Sequence, residues 1–500
     1  MTQAPEVELK LVATPAMLEQ LRGAESLSGE SRHRNFNTVY YDTADRRLAR
    51  ARLALRIRSD AGKSEITLKR APAAKAIARD EWNAPLDGEA LDLGALPPEA
   101  ARHVIKAAKG ADLLPVFRLS VAREIRLVRF GRSTIEVAFD GGQLSAADQS
   151  EEICELELEL VSGKASDLLA LALTLPLGPE LRWSTDSKSA RGYRLADAET
   201  PVATRARIIR LPANAGTRAA LRRITWACIG QLLANEDVVV RAGLAEALHQ
   251  MRVALRRLRV VLRLGHELLG DADAAVLDAE CDAALNTLST ARDLDVILAR
   301  LKPAHAHAGL EADLVAALNA ERAAAYAEIA GMMRSASFQR LMLQAVSWAE
   351  HLGPARSDDA PLADAARALL KSWRRKLRPA ARDLAELSPE ARHRLRIRLK
   401  RLRYAMEFFA SLDDDSGRCA ADRMRLDALS DAQDHLGDLN DLDVAASLAP
   451  RLRGDSIRKA AIVEAITARA RKRRRDIPAL LAKAQRAVDV ALARRRDLKS

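Results

Sequence analysis

Residues 1 to about 200 alternate apolar and polar positions over short runs separated by Gly, Pro and Asp, which is the period-two signature of strands. After about residue 215 the period changes to 3.6 and Ala, Leu and Arg dominate, as in Ala219 to Leu233, Leu244 to Leu264 and Leu362 to Leu377. The join carries Pro212, Asn214 and Gly216 and reads as a linker. The pattern therefore predicts an α+β domain over 1–200, a linker over 201–215 and an all-helical domain over 216–500.

In the first half the polar positions are unusually often charged. Glu6, Glu8 and Lys10 share one face of the opening strand, with Val7, Leu9 and Leu11 on the other. Arg56 and Arg58 follow on one face of a later strand, then Thr67 with Lys69, Arg79 with Glu81, Glu136 with Asp140, and Glu155 with Glu157 and Glu159. One such strand is an ordinary half-exposed strand. The set points further, because closing these strands into a barrel with the charged faces inward would form a wet tunnel of carboxylates and cations. Side-by-side carboxylates repel, a hard divalent cation relieves that, and the cations suit a phosphate chain.

The second half contains an internal repeat. His249, Arg252, Arg256, Arg257 and Arg259 return as His393, Arg396, Lys400, Arg401 and Arg403, 144 positions on. Met251, Leu255, Leu258 and Leu262, and in the second copy Leu395, Leu399, Leu402 and Met406, form the buried stripe of a helix. Beside it runs a basic stripe whose neighbouring like charges cost roughly 0.2–0.5 kcal/mol per pair, so a polyanionic partner is expected. A second motif, Ala291-Arg-Asp-Leu-Asp-Val296, returns as Leu439-Asn-Asp-Leu-Asp-Val444, 148 positions on. The repeats span about 216–355 and 356–500. Asp293, Asp295, Asp441 and Asp443 are expected to brace arginines, with metal binding as the alternative.

Composition narrows the partner. The 80 Lys+Arg against 68 Asp+Glu leave a net charge of +12, which favours anions, while 3% aromatic content argues against single-stranded nucleic acid, whose bases need stacking platforms. Cys154, Cys228, Cys281 and Cys419 show no paired spacing, so neither a zinc site nor a disulfide framework is indicated. No signal peptide or membrane span is evident, and a cytoplasmic protein is expected.

Glu6-x-Glu8-x-Lys10, Leu55-Arg-Ile-Arg58, Thr67-Leu-Lys69, Glu155-Leu-Glu-Leu-Glu159 and Ser187-Lys188 before Arg191-Gly192-Tyr193 together resemble the CYTH domain of triphosphate tunnel metalloenzymes. The repeated basic helices resemble the CHAD domain that often follows CYTH in bacterial proteins. The resemblance implies an antiparallel β-barrel tunnel followed by two pseudo-symmetric four-helix bundles. It also implies Mg²⁺ or Mn²⁺ held by Glu6, Glu8, Asp140, Glu155, Glu157 and Glu159, with Glu6, Glu8 and Lys10 as the catalytic triplet. Lys10, Arg56, Arg58, Lys69, Arg79, Arg118, Arg123 and Lys188 would then bind inorganic triphosphate, the expected substrate. In the helical half, His249, Arg252, Arg256, Arg259, His393, Arg396, Lys400 and Arg403 would bind long-chain inorganic polyphosphate, with polyphosphate granules as an associated location. Three other readings stay open: a polyphosphate-binding or granule-targeting scaffold with an idle barrel, another triphosphate chemistry such as adenylate cyclase or thiamine triphosphatase, and nucleic-acid binding by the basic helices.

Overall fold

A computed structural model of the chain describes residues 7–70, 80–197, 201–212, 214–301, 311–353, 359–382, 388–412 and 427–435, with isolated positions between 437 and 486. The chain divides into two compact units. One comprises Met1–Val202 with Met333–Glu350, the other Ala203–Met332 with His351–Ser500.

The first unit is built on nine strands: β1 (Glu8–Ala13), β2 (Ser31–Asp42), β3 (Leu53–Asp60), β4 (Lys63–Arg70), β5 (Asp80–Leu86), β6 (Leu114–Phe130), β7 (Ser133–Ala146), β8 (Gln149–Ser162) and β9 (Leu181–Ser184). They form one antiparallel sheet in the order β5-β4-β3-β2-β6-β7-β8-β1-β9. Helices α1 (Pro15–Arg22), α2 (Arg47–Arg50), α3 (Pro98–Ala108), α4 (Ala165–Thr174) and α5 (Lys188–Asp197) punctuate it. The β3–β4 hairpin closes through Ala61 and Gly62, both with positive φ, the backbone that a two-residue turn matching strand twist requires.

Apolar residues of β3 and β4, among them Leu55, Ile57, Ile66 and Leu68, pack against Ala100 and Val104 of α3. On β2 and β6, Phe36, Tyr40, Phe117 and Leu119 form a second cluster against which Tyr193 and Leu195 of α5 pack. The opposite parity of Arg56 and Ile57 leaves the charged residues of β3 on the face of this second cluster, since Arg56 is the cross-strand partner of Tyr40.

The alternating pattern is realised as an α+β unit, but the expected closed barrel is not: the hydrogen-bonded sheet is open, with β5 and β9 as its edges among the described residues. Alternation dictates which face a side chain takes, whereas closure depends on pairing of two edges far apart in sequence. At the β9 edge the Trp183 N–H donates instead to the Gln339 side-chain oxygen, at 2.8 Å. Gln339 is 1% exposed and donates in turn to the Met333 carbonyl at 2.7 Å.

The second unit contains α6 (Thr217–Ala242), α7 (Ala245–Leu269), α8 (Ala272–Leu301), α9 (Glu311–Arg334, whose last residues belong to the first unit), α11 (Leu362–Arg382) and α12 (Pro389–Phe409). Between α9 and α11, α10 (Ala336–His351) carries Gln339 and packs with the first unit, although its position falls within the expected helical half. Helices α6 and α11 begin side by side. Thr217 N–H donates to Ala360 O at 2.9 Å while Leu362 N–H donates to Ala215 O at 3.0 Å, a reciprocal exchange between the starts of α6 and α11. The Asp359 carboxylate also accepts from the backbone of Arg218 and Ala219, satisfying donors at the start of α6. The two helices carrying the basic motif, α7 and α12, pack on one another.

Helix α5 is seated by close approach rather than by bulk. A Cβ on Gly192 would lie 2.2 Å from the Phe117 ring. Gly192→Ala is therefore expected to destabilise the first unit by about 1–3 kcal/mol, read as a fall in its thermal midpoint, because Phe117 is buried and stacked on Tyr40.

Candidate active site

The antiparallel register gathers the charged face. Glu8 pairs with Glu159 and Lys10 with Glu157 across β1 and β8. On the other side of β8, Glu136, Ala138 and Asp140 of β7 pair with Glu159, Glu157 and Glu155, and Arg123 of β6 pairs with Asp140. Cross-strand partners share a face, so one belt of acids and cations crosses four strands.

At its centre, carboxylate oxygens of Asp140, Glu155 and Glu157 lie within 4.8 Å of one another. The Lys188 ammonium, delivered by the first turn of α5, sits 2.8 Å from Asp140 Oδ2, 2.6 Å from Glu155 Oε2 and 2.7 Å from Glu157 Oε1. Lys10 Nζ is 3.2 Å from Glu157 and 3.7 Å from Glu155. Arg123 grips Asp140 with two nitrogens at 2.6 Å and also donates to Glu157. Burial alone would push the Glu157 carboxyl up, but Lys188, Lys10 and Arg123 hold it well below the usual carboxylate range. Burial likewise opposes the Lys188 charge, and Glu157, Asp140 and Glu155 outweigh it, raising its pKa.

Further along the face lies a cationic patch. Lys69 Nζ is 2.6 Å and Arg56 3.7 Å from Glu81. Arg58 stacks 4.3 Å above the Phe36 ring, and its buried Nε has no hydrogen-bond partner among the described residues. Burial, then the neighbouring Arg56 charge, pull the Arg58 pKa down to about 10. An anion between these side chains would relieve that strain. Arg118 lies elsewhere: it pairs with Val39 and Ser145 and is exposed on the opposite face, in contrast to the expectation that placed it with Arg123. Glu6 and Arg79 lie outside the described residues.

A second constellation occupies the helical unit. The basic stripes of α7 and α12 and part of α8 line one cavity of about 640 Å³, which includes His249, Arg252, Arg256, Arg292, Arg396 and Lys400. Burial and then Arg292 press the His249 pKa down to about 4; burial and Arg256 lower Arg252 to about 9. Lys400 falls well below its ordinary value through burial and then through Arg256, Arg396, Arg252 and Arg403. Arg259 lines the same cavity but is ion-paired to Asp278 at 2.7 Å and to Asp282, and Arg263 to Asp278 at 2.6 Å. Arg403 is turned to Gln433, at 3.0 Å, and to Glu407. Asp295 accepts from Arg322 at 2.6 Å and from the Tyr326 hydroxyl at 2.8 Å. The His393 side chain, Asp441 and Asp443 lie outside the described residues.

Residues 4–193 match the CYTH domain family and residues 223–450 the CHAD domain family. The chain joins a CYTH domain to a CHAD domain. It is 32% identical over 200 residues to an inorganic triphosphatase of Haemophilus influenzae, covering 39% of this chain and 56% of that protein. It is 27% identical over 293 residues to an uncharacterized protein of Mycobacterium tuberculosis, covering 54% of this chain and 53% of the relative. The chain thus spans little more than half the length of these curated relatives. A crystal structure of the CHAD domain from Ricinus communis aligns at 29% identity over 58% of this chain and 97% of that one, with a TM-score of 0.48.

In the CYTH domain, sequence reading overlooked what Arg191 does, although the residue stands in a quoted motif. It is 8% exposed and bonds Glu151, Glu155 and the Glu152 carbonyl. The signal was available in its spacing: three positions after Lys188 on a helix places both on one face.

Lys188 is the contact on which the three carboxylates converge. Glu157 is held below its unfolded value near 4.5, so its stabilisation is complete above that value and is lost as pH falls through the lower native pKa. Lys188→Met removes the largest opposing charge and is expected to cost about 3–5 kcal/mol near neutral pH. The deficit should shrink on acidification as the stranded carboxylates take up protons, a trend that urea unfolding at neutral and mildly acidic pH would read directly.

Proposed function

We propose that the CYTH domain hydrolyses inorganic triphosphate with a divalent cation, and that the CHAD domain binds inorganic polyphosphate. The observation that carries the first part is the juxtaposition, on one sheet face, of an all-oxygen acidic cluster and the Arg56, Arg58 and Lys69 patch. The likeness to an inorganic triphosphatase supports it.

The acidic cluster fits a hard cation: its donors are carboxylate oxygens only, and a Lys188 ammonium already stands at their focus as the counter-charge. Asp140, Glu155 and Glu157, with Glu8 and Glu159 in the adjoining register and Glu6 before them, would hold Mg²⁺ or Mn²⁺. When bound, such an ion polarises water and phosphoryl oxygen. The chain's own residues do the remaining work. Arg56, Arg58 and Lys69 bind phosphoryl oxygens and stabilise the charge spread over them, Lys10 and Lys188 keep the carboxylates ionised, and Arg123 orients Asp140 and Glu157. Phe36, Tyr40 and Phe117 on this face are buried, and Phe36 lies under Arg58, so these rings offer no platform for a nucleobase. That favours an inorganic chain over a nucleotide.

A phosphate-release panel over tripolyphosphate, ATP and thiamine triphosphate with Mg²⁺ or Mn²⁺ tests this. Tripolyphosphate should be preferred, and Arg56→Ala should lower its turnover by about 100-fold or more. Replacing Glu6 and Glu8 together with Ala should abolish turnover and leave polyphosphate binding intact. A wild-type protein that releases no phosphate from tripolyphosphate ends the inorganic-triphosphatase reading; turnover of ATP or thiamine triphosphate instead would favour another triphosphate chemistry, and turnover of none of the three would favour the scaffold reading.

Polyphosphate binding rests on the cavity lined by both basic stripes. An incoming polyanion raises the pKa of His249 and Lys400, which burial and neighbouring cations hold low, so binding takes up protons and tightens as pH falls. Calorimetry of long-chain polyphosphate in buffers of different ionisation heat should show net proton uptake, reduced by Lys400→Arg. DNA or RNA outcompeting polyphosphate at moderate salt would count against this assignment.

A further inference from the structure

Helix α5 delivers two cations to the acidic belt, and only Lys188 has so far been given a part. Ser187 Oγ accepts from the Ala190 N–H at 3.1 Å and the Ser187 carbonyl from the Arg191 N–H at 3.0 Å, so the first turn is fixed before either side chain leaves it. Lys188 and Arg191 then descend on the same strand, β8.

Their division of Glu155 is specific. Lys188 Nζ takes Oε2 at 2.6 Å, and Arg191 Nη1 takes Oε1 at 2.6 Å. The rest of the guanidinium is committed as well: Nε donates to Glu151 at 2.9 Å, and Nη2 donates to the Glu152 carbonyl at 2.8 Å while lying 2.6 Å from Glu151. Three bonds to one strand fix the plane of the guanidinium. The plane in turn fixes the Glu155 carboxylate, which is 0% exposed and so is shielded from bulk solvent. Oε1 is thereby committed to Arg191, and Oε2 faces the Lys188 ammonium that Asp140 and Glu157 also contact.

We propose that Arg191 is a positioning residue for the acidic cluster: by holding Glu155 Oε1 it presents Oε2 as a preorganised ligand for a divalent cation. This rests on the metal-dependent reading above. Arg191 differs from Arg56, Arg58 and Lys69 in having its donors occupied by β8, so it is not a phosphate-binding side chain. It also differs from a simple strand tie, because one of its bonds ends on a carboxylate of the cluster itself. A guanidinium can serve Glu151, the Glu152 carbonyl and Glu155 together, whereas an ammonium at the same position can reach some of these but lacks the fork.

The experiment uses the full chain and Mn²⁺ alone, titrated without substrate and followed by calorimetry and by the electron paramagnetic resonance signal of free Mn²⁺. Arg191→Met should weaken Mn²⁺ binding by about 10-fold to 100-fold, the range seen when a partner that orients a metal ligand is lost. Arg191→Lys should recover part of the affinity, and KM for tripolyphosphate at saturating Mn²⁺ should stay within about 2-fold in both variants if the phosphate contacts lie elsewhere.

A folded Arg191→Met protein with wild-type Mn²⁺ affinity overturns the proposal, as does intact Mn²⁺ affinity with a raised KM, which would make Arg191 a substrate contact. If Arg191→Met does not fold, Arg191→Lys decides alone: weakened Mn²⁺ binding supports the role and unchanged binding overturns it. A wild-type chain that binds no Mn²⁺ also ends it. A wild-type chain that binds Mn²⁺ without cleaving tripolyphosphate removes the hydrolase reading, and the comparison of affinities still judges Arg191.

Discussion

Two buried carboxylates and a half-buried third cannot share a space under 5 Å wide as anions unless cations are brought to them. Asp140, Glu155 and Glu157 have oxygens within 4.8 Å of one another, where mutual repulsion at an effective dielectric near 20 is roughly 3.5 kcal/mol per pair. The compensating charges come from separated parts of the chain: Lys10 near the start, Arg123 in the middle, and Lys188 and Arg191 at the end of the CYTH domain. The order of strands around β8 follows this need. It has β1 on one side, bringing Lys10, and β7 on the other, bringing Asp140, which β6 supplies with Arg123. Helix α5 completes the set, and the contact of Gly192 with Phe117 lets it come close enough.

Much of this belt was legible in the sequence because a strand's period is local. The alternation at Glu8 and Lys10, at Arg56 and Arg58, and at Glu155, Glu157 and Glu159 assigns faces without knowledge of partners, and the register agrees. Parity also explains the misplacement of Arg118. It lies an odd number of positions from Arg123, so one unbroken strand must send the two to opposite faces. Barrel closure was not legible, since it depends on what meets each edge. At β9 the Trp183 N–H meets a glutamine more than 150 positions away in the chain.

The helical half shows the same boundary between local and distant information. Duplication of the basic motif pointed to a polyanionic partner, and the two stripes line one cavity. It did not reveal that Asp278 and Asp282 of α8 would neutralise Arg259 and Arg263, because those acids belong to a different helix whose packing no heptad or charge pattern announces. The cavity is consequently graded. Its cations around Arg252, Arg256, Arg396 and Lys400 are crowded by like charge, while those around Arg259 already have acidic neighbours. Among the basic positions matched between the two copies, Arg256 against Lys400 places a side chain able to lose its charge where its counterpart cannot.

Helix α10 gives the architecture a direction in time. Synthesis runs from the N-terminus, and the nine strands leave the ribosome well before Gln339, so the edge of the sheet at Trp183 must wait for its partner while α6 to α9 are being made. The last piece of the first domain arrives from inside the second, and maturation of the sheet is thereby timed by translation of the helices.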